Sequence, residues 1–248
     1  MPCAMSADVT CSIEQGSVAA MSTVLLVRHG RSTANAEGIL AGRLPGMSLD
    51  DTGIEQARRV ATQVAELPMA RVVASPMERC QQTARLVAPD LEPTPETGLT
   101  ECDYGTWSGA KLTDLATQEL WKTVQQNPSA ARFPEGESLR EMHARAVDAA
   151  RTWDARVTDE HGADALWMAV SHGDVIKAII ADALGLHLDL FQRLVVDPAS
   201  VSIIRYTPQG PQVLGVNITG REFTSLIPKP VKDAEIPEGH AVVGGRDA

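Results

Sequence analysis

The sequence lacks both a long apolar run and an excess of basic residues. No apolar stretch reaches the roughly 18 residues that a membrane-spanning helix needs. The chain contains 22 Lys and Arg against 32 Asp and Glu, which gives a net charge of −10. That balance argues against a protein that coats nucleic acid and against a polybasic membrane-binding protein. We therefore expect neither nucleic acid nor membrane among the partners of this chain.

Cysteine is also scarce. The chain contains four cysteines, which are Cys3, Cys11, Cys80 and Cys102. They form no CxxC pair, so neither a zinc ribbon nor a dense disulfide framework is indicated. Residues 1–20 show neither the basic start nor the apolar segment of a secretory signal. Together these features predict a protein of a reducing, cytoplasmic compartment.

The composition is that of an ordinary globular protein. Apolar residues make up 44% of the 248 and charged residues 22%, which excludes disorder across the whole chain. Residues 1–20 are expected to form a flexible extension. Residues 228–248 are rich in Pro and Gly and are expected to form a disordered tail. Between them, the sequence predicts one domain over residues 21–227.

Short apolar runs alternate with helical patterns along this domain. The predicted strands are 23–27, 71–74, 166–170, 201–206 and 213–216, and the predicted helices are 51–67, 76–87, 138–157 and 174–184. Asp51 or Thr52 is the expected N-cap of the first helix, and Pro76 is expected to open the second. Ser138 and Glu141 match a capping box at the start of the third.

Strands that alternate with helices are typical of a layered α/β domain. The stretch 103–137 shows no clean periodicity and lies between the regular elements. Segments of this kind are often functional, so we interpret it as a candidate lid over a site.

Histidine and arginine follow three of the predicted strands. The residues after these strands are Arg28-His29-Gly30, Ser75 to Arg79, and Ser171-His172-Gly173. Active sites of open α/β sheets lie at the carboxyl ends of the strands, so these side chains should converge on one edge. Arginine matches phosphate oxygens, and a neutral histidine can attack phosphorus. The pattern indicates an anion pocket that contains a nucleophile.

The charges around the histidines indicate how such a pocket would work. Neighbouring arginines favour the neutral imidazole, because like charge disfavours protonation. No Asp/Glu pair or His cluster has the spacing of metal ligands. We therefore expect arginine and histidine, without a metal, to neutralise the phosphate.

Five segments in order resemble the histidine phosphatase superfamily, which has the phosphoglycerate mutase-like fold. They are LVRHGRSTAN at 26–35, LDDTG at 49–53 with QA at 56–57, SPMERCQQTA at 75–84, LTECDYGTW at 99–107, and VSHG at 170–173. The resemblance implies a three-layer α/β sandwich with a mixed, mostly parallel sheet flanked by helices. It also implies a catalytic domain without metal or other cofactor.

The resemblance implies roles for individual residues. His29 would be the nucleophile that becomes phosphohistidine, while Arg28, Arg79 and His172 would surround the phosphoryl oxygens. Glu101 would be the general acid for the leaving oxygen and then the base for the attacking water. Asp103 remains an alternative to Glu101 as the catalytic acid and base.

Further candidates for substrate binding are Asn35, Ser32 and Gly173. The resemblance places Asn35 at the phosphate pocket and Ser32 at the far side of the substrate, while Gly173 allows close approach of the backbone. Arg31 departs from the Glu or Gln that is frequent at its position in the superfamily. If Arg31 and Arg43 both face the pocket, the substrate carries more than one anionic group. The alternative is that both face solvent.

The catalytic residues do not distinguish hydrolysis from transfer, but the candidate lid does. Residues 108–137 contain three basic residues against four acidic ones, which suits the retention of a second anion poorly. The sequence therefore favours a metal-independent phosphatase of small phosphomonoesters, with a small phosphorylated metabolite as partner. A phosphomutase of the phosphoglycerate mutase type is the alternative.

Both histidines are present, which argues against a non-catalytic binding module. Analogy alone suggests a homodimer that forms through an exposed strand edge, and the sequence does not decide the oligomeric state.

Overall fold

The structure is a computed structural model that describes residues 22–220. The extension predicted for residues 1–20 and the tail predicted for residues 228–248 lie outside these residues. Both ends of the predicted domain, residues 21 and 227, lie outside them as well.

Within the described residues, six strands form one sheet in the order β3-β2-β4-β1-β5-β6. The strands are β1 Thr23–Arg28, β2 Met69–Ala74, β3 Thr94–Pro95, β4 Leu166–Ser171, β5 Val201–Thr207 and β6 Gly210–Ile218. Strands β1 to β4 pair in parallel, whereas β5 runs antiparallel to both β1 and β6. The sheet is thus mixed and mostly parallel, as predicted.

Seven α-helices accompany the sheet in residues 22–220. They are α1 Thr33–Ala36, α2 Asp51–Val64, α3 Glu78–Val87, α4 Leu112–Leu115, α5 Glu119–Gln126, α6 Leu139–His161 and α7 Gly173–Ala183. Among these, none is long and apolar enough to cross a membrane.

The side chains of β1 show how the layers are built. Val24 and Leu26 pack into the core cluster that contains α6 and α7, whereas Leu25 and Val27 pack into the cluster that contains α2 and α3. Successive side chains of a strand point to opposite faces, so helices cover both sides of β1. This explains why the strand reads as a continuous apolar run. The arrangement confirms the predicted three-layer sandwich.

The start of α2 differs from the prediction. Its N-cap is Asp50, whose carboxylate accepts a hydrogen bond from the backbone N of Gly53 at 2.7 Å. Neither Asp51 nor Thr52 caps the helix. Three consecutive residues here have capping side chains, and sequence alone did not decide which of them leaves the helical conformation.

The starts of the next two long helices differ in how well the sequence indicated them. Pro76 does not open α3, which begins only at Glu78. The capping box of α6 is confirmed, because Ser138 and Glu141 each accept a hydrogen bond from the backbone N of the other. This helix extends beyond the predicted end to His161, where Gly162 ends it with a φ of 85°.

Residues 103–137 are built from short helices around aromatic side chains. Tyr104 and Phe133 meet edge to face with ring centroids 4.9 Å apart, and Trp107 stacks on Trp121 at 6.2 Å. These are four of the nine aromatic residues of the chain. Aromatic burial, rather than a long amphipathic helix, joins this segment to the core, which is why it showed no periodicity.

Candidate active site

The carboxyl ends of β1, β2 and β4 meet at one edge of the sheet. Arg28 lies opposite Ser171 in the β1–β4 ladder, so His29 and His172 leave the sheet side by side. Their ring centroids are 5.2 Å apart. Strand β2 ends at Ala74 on the other side of β4. The structure therefore brings together the three strand ends that the sequence singled out.

A hydrogen bond to the backbone sets the tautomer of His29. Its Nδ1 lies 2.7 Å from the carbonyl oxygen of Gly30, so in the neutral ring this nitrogen carries the proton and donates. The lone pair is then on Nε2, which accepts from Nε of Arg79 at 3.2 Å. Nε2 is accordingly the atom of His29 that can attack an electrophile.

The surroundings of His29 keep its ring neutral. Burial lowers its pKa well below the usual value, and the charges of Arg79 and Arg28 lower that pKa further. Sequence reasoning named the arginine charges as the cause, but burial is the larger one. A neutral imidazole retains the lone pair that nucleophilic attack requires.

His172 is fully buried beside His29. Its Nδ1 accepts from Nη2 of Arg79 at 3.0 Å, which leaves Nε2 to donate to the Oγ of Ser75 at 2.9 Å. Burial lowers its pKa well below the usual value, followed by the charges of Arg79 and His29. Ser75 was not among the predicted site residues, although its place at the end of β2 was the available signal.

Arg79 is the centre of this network. Its side chain is 2% exposed, and Nη2 donates to the carbonyl oxygen of Gly42 at 3.0 Å as well as to His172. Its Nη1 is buried and has no hydrogen-bond partner among the described residues. A buried donor without an acceptor is unfavourable, and a bound phosphate oxygen would supply that acceptor.

The second buried arginine, Arg28, lies at the end of β1. Its Nη1 donates to the carbonyl oxygen of Val196 at 2.8 Å, and its positive charge helps lower the pKa of both histidines.

Among the described residues, no group of three or more His, Cys, Asp or Glu side chains is arranged to hold a metal ion.

Glu101 lies against the same network. Its Oε1 accepts from the backbone N of Cys102 at 3.0 Å, and its Oε2 lies 3.5 Å from Nδ1 of His172 and 3.9 Å from Nη2 of Arg79. Burial raises its pKa to about 7; Arg79 opposes the shift and Asp174 adds to it. A carboxyl group with such a pKa can give and take a proton near neutral pH.

Asp103, the alternative to Glu101, is turned away from the histidines. Its Oδ1 accepts from the backbone N of Gly105 at 3.0 Å, and its Oδ2 lies 3.6 Å from Nη1 of Arg43. Its side chain is 40% exposed. The geometry favours Glu101 for proton transfer.

Ser32 and Asn35 bond to each other at the start of α1. The side-chain oxygen of Asn35 accepts from the backbone N of Ser32 at 3.1 Å, and the hydroxyl of Ser32 accepts from the backbone N of Asn35 at 3.3 Å. This capping box fixes both residues in the first turn after the loop of His29, at the start of α1. Their contact with substrate stays a prediction, as does that of Gly173, the buried first residue of α7.

Arg31 and Arg43 are engaged by carboxylates of the protein itself. Nε of Arg31 lies 2.7 Å from Asp50, and its Nη2 donates to the hydroxyl of Thr52 at 2.9 Å. Nη2 of Arg43 lies 3.0 Å from Glu137. The structure does not bring either guanidinium group into the histidine network.

Three polar residues of the quoted motifs support the backbone around His29. Thr83 accepts from the backbone N of Gly30 at 3.1 Å, Gln56 from that of Arg31 at 2.8 Å, and Gln82 from that of Leu49 at 2.8 Å. Sequence reasoning treated these residues as marks of resemblance only. The bonds of Thr83 and Gln56 hold the backbone directly after His29, and that of Gln82 holds Leu49, which pairs with Ser32.

Gly30 and Gly53 are required by close packing of that loop on α2. A Cβ atom added at Gly53 would lie 2.0 Å from the carbonyl oxygen of Arg31, and one added at Gly30 would lie 2.5 Å from that of Gly53. No side chain fits at either position without displacing backbone.

Comparison with known proteins agrees with this geometry. Residues 24–219 match the model of the histidine phosphatase superfamily (branch 1). The chain is 33% identical over 192 residues to the Enterobacter sp. protein named "Probable phosphoglycerate mutase GpmB", covering 75% of this chain and 86% of that protein.

Solved structures show the same fold. The alpha-ribazole phosphatase from Shigella flexneri superposes with a TM-score of 0.68 at 27% identity, over 81% of this chain and 99% of that one. Bacillus stearothermophilus YhfR superposes with a TM-score of 0.73 at 22% identity, over 79% and 97%, which supports the fold alone. With most of its length matched and its paired histidines at adjacent strand ends, this chain belongs to the histidine phosphatase superfamily.

Proposed function

We propose that this protein hydrolyses small phosphomonoesters through a phosphohistidine on His29. The observation that carries the proposal is the pairing of a neutral, buried His29 with Arg79. The Nε2 lone pair of His29 faces a guanidinium group whose Nη1 has no acceptor among the described residues. This arrangement suits an electrophile that bears negative oxygens, as a phosphoryl group does.

In the first step, Nε2 of His29 attacks phosphorus and the bond to the leaving oxygen breaks. The leaving oxygen takes the proton of the Glu101 carboxyl, so an alcohol departs. Arg28, Arg79 and His172 stabilise the negative charge of the phosphoryl oxygens in the transition state. Nδ1 of His29 keeps its hydrogen bond to Gly30 while the ring gains positive charge.

In the second step, water attacks the phosphohistidine. The carboxylate of Glu101 takes a proton from the water, the new bond to phosphorus forms, and the bond to Nε2 breaks. Inorganic phosphate is released, His29 is neutral again, and Glu101 is protonated for the next cycle. A pKa of about 7 for Glu101 suits both directions of this transfer.

The charges of Arg31 and Arg43, which we call the rim arginines, support hydrolysis over transfer. A mutase must hold a substrate or intermediate that carries a second anionic group. Two cations that could serve this purpose are engaged, because Arg31 is paired with Asp50 and Arg43 with Glu137. In the candidate lid, Arg132 is paired with Glu141.

A phosphomutase remains the second candidate. The relative from Enterobacter sp. bears a phosphoglycerate mutase name, and it matches this chain over most of both lengths. The structure from Shigella flexneri bears a phosphatase name. Both reactions would use the same histidines and arginines, so the fate of the phosphohistidine decides between them.

The test is an assay of phosphate release from a panel of phosphomonoesters with EDTA present. In parallel, 3-phosphoglycerate with 2,3-bisphosphoglycerate is assayed for isomerisation. We expect phosphate release without isomerisation and no inhibition by EDTA. Isomerisation with little release would support the mutase, and inhibition by EDTA would contradict the metal-independent mechanism.

A further inference from the structure

Behind Glu101 lies a group of charged side chains that the proposed reaction does not use. Glu137 lies between Arg43, from the loop before α2, and Arg145 of α6. Its Oε1 accepts from Nη2 of Arg43 and its Oε2 from Nε of Arg145, each at 3.0 Å. We call Arg43, Glu137 and Arg145 the clamp.

Both arginines of the clamp donate to one backbone oxygen, the carbonyl of Glu101. Nε of Arg43 donates at 2.9 Å and Nη2 of Arg145 at 3.1 Å. A carbonyl oxygen has two lone pairs, so these two donors satisfy it fully. Arg145 also donates from Nη1 to the carbonyl oxygens of Gly98 and Thr100, at 2.8 and 2.7 Å. The clamp therefore holds the peptide plane of Glu101 from behind.

Glu137 itself binds the chain just beyond Glu101. Its carboxylate accepts from the backbone N of Asp103 at 2.8 Å, and its own backbone N donates to the carbonyl oxygen of Asp103 at 3.0 Å. It also neutralises two guanidinium groups that converge on the same oxygen. Without it, Arg43 and Arg145 would repel each other beside Glu101.

The clamp differs from an ordinary surface ion pair. The side chains of Glu137 and Arg145 are 15% and 23% exposed, whereas that of Arg43 is 38% exposed, so the bond between Glu137 and Arg145 is the shielded one. In the neighbouring pair of Arg132 and Glu141, the exposed fractions are 59% and 52%. Charge-assisted hydrogen bonds that are shielded from water fix geometry better than exposed ones.

We propose that Glu137 is a positioning residue for proton transfer, which acts through Arg43 and Arg145 on the backbone of Glu101. The clamp sets the peptide, and the hydrogen bond from Cys102 then directs the carboxyl toward the histidines. This inference rests on the proposed function, because the position of Glu101 matters only if its carboxyl transfers a proton.

The readout is the dependence of rate on the leaving group. An alkyl phosphate needs a proton on its leaving oxygen, whereas the p-nitrophenolate of p-nitrophenyl phosphate leaves without one. Misplacing the carboxyl of Glu101 should slow β-glycerol phosphate at least about tenfold more than p-nitrophenyl phosphate in kcat/KM. A purely structural loss would slow both esters equally.

Two variants and one control make the test. Glu137→Gln keeps an acceptor for Asp103 but removes the charge that joins the arginines. Arg145→Lys keeps the charge but removes the forked donors, so it tests the clamp independently of Glu137. Arg132→Gln removes an exposed pair between the same two segments without touching Glu101, and its ratio should equal that of the wild type.

A Glu101→Gln background checks that the effect passes through this residue. There, Glu137→Gln should leave the ratio of the two rates unchanged, because the group that it positions is gone. A full additional loss of the ratio would overturn the inference.

The outcomes separate the two proposals. A wild-type protein that hydrolyses neither ester refutes the proposed function. An active wild type whose clamp variants, shown by circular dichroism to be folded, lose both activities equally refutes the clamp alone. Should one variant fail to fold, the ratio of the other decides.

Discussion

The floor and the rim of the candidate active site both contain arginines, but they use them in opposite ways. On the floor, Arg28 and Arg79 are buried among histidines and backbone carbonyls. At the rim, the side chains of Arg31 and Arg43 are 28% and 38% exposed and bind carboxylates of the protein. The floor arginines therefore donate to histidines and backbone carbonyls, whereas the rim arginines are paired with carboxylates.

This difference explains the chemistry of the two histidines. Arg79 is buried, and Oε2 of Glu101 lies 3.9 Å from its Nη2, beyond hydrogen-bond distance. Burial lowers the pKa of His29 and of His172, and the charges of Arg79 and Arg28 lower both further, so both rings stay neutral. At the rim, the arginines act on structure, and Arg43 does so through the clamp.

The largest effect should come from the floor, with His29→Ala. Removing Nε2 removes the atom that bonds to phosphorus, so kcat on p-nitrophenyl phosphate should fall on the order of 10⁴-fold or more. No phosphohistidine should appear when the reaction is stopped with alkaline detergent, which preserves the acid-labile N–P bond, whereas the wild type should show it. A variant that is folded by circular dichroism and keeps substantial activity would refute the assignment of the nucleophile.

Arg79→Gln tests the floor arginine. Loss of the guanidinium removes donors to phosphoryl oxygens in the transition state, so kcat/KM should fall by about 10²- to 10³-fold. The same substitution also lifts a positive charge from His29, whose pKa should rise toward its usual value. Steady-state kinetics and an NMR titration of the ring would measure the two effects. A loss of kcat/KM no larger than that caused by Arg31→Gln would contradict the distinction between floor and rim arginines.

The pH dependence of kcat/KM tests the role proposed for Glu101, which lies against the floor arginine Arg79. Its carboxyl is protonated below a pKa of about 7 and loses the proton above it. The ratio of kcat/KM for β-glycerol phosphate to that for p-nitrophenyl phosphate should therefore fall about tenfold per pH unit above neutrality. Glu101→Gln should give a low ratio that does not change with pH. A wild-type ratio that stays constant from pH 6 to 9 would contradict the assignment of the acid.

The smallest effect should come from the rim, with Arg31→Gln. Its pair with Asp50 is partly exposed, so the free energy of unfolding should change by no more than about 1 kcal/mol. Activity on monoesters should stay within about twofold, because single surface ion pairs contribute little. Urea unfolding and steady-state kinetics measure both. A large rise in KM that is confined to bisphosphorylated substrates would show that Arg31 does reach the substrate.

Features that depend on neighbours in sequence were predictable. The apolar run of β1, the capping box at Ser138 and the catalytic candidates at the strand ends are all local patterns. The convergence of strand ends at one edge then follows from the general rule for α/β sheets. That rule is sufficient to place His29 and His172 together, because each lies two residues after the end of a predicted strand.

Features that depend on which distant side chain lies nearby were not predictable. Sequence alone did not show that Ser75 binds His172 or that Arg43 turns to Glu137. The choice of Asp50 as N-cap and the two-residue strand β3 also depend on packing, since neither leaves a pattern longer than a few residues.

The position of β1 in the sheet has a consequence for biosynthesis. Both neighbours of β1 come much later in the chain, because Thr23 pairs with Leu166 on one side and with Arg205 on the other. At about 5–20 residues per second, a ribosome needs on the order of 10 s to supply them. Until both are made, the nascent chain carries an apolar strand with at least one open edge, which favours aggregation and capture by chaperones. The strand that precedes His29 is thus the first of the described strands to be made, yet it gains its second neighbour only when β5 is made.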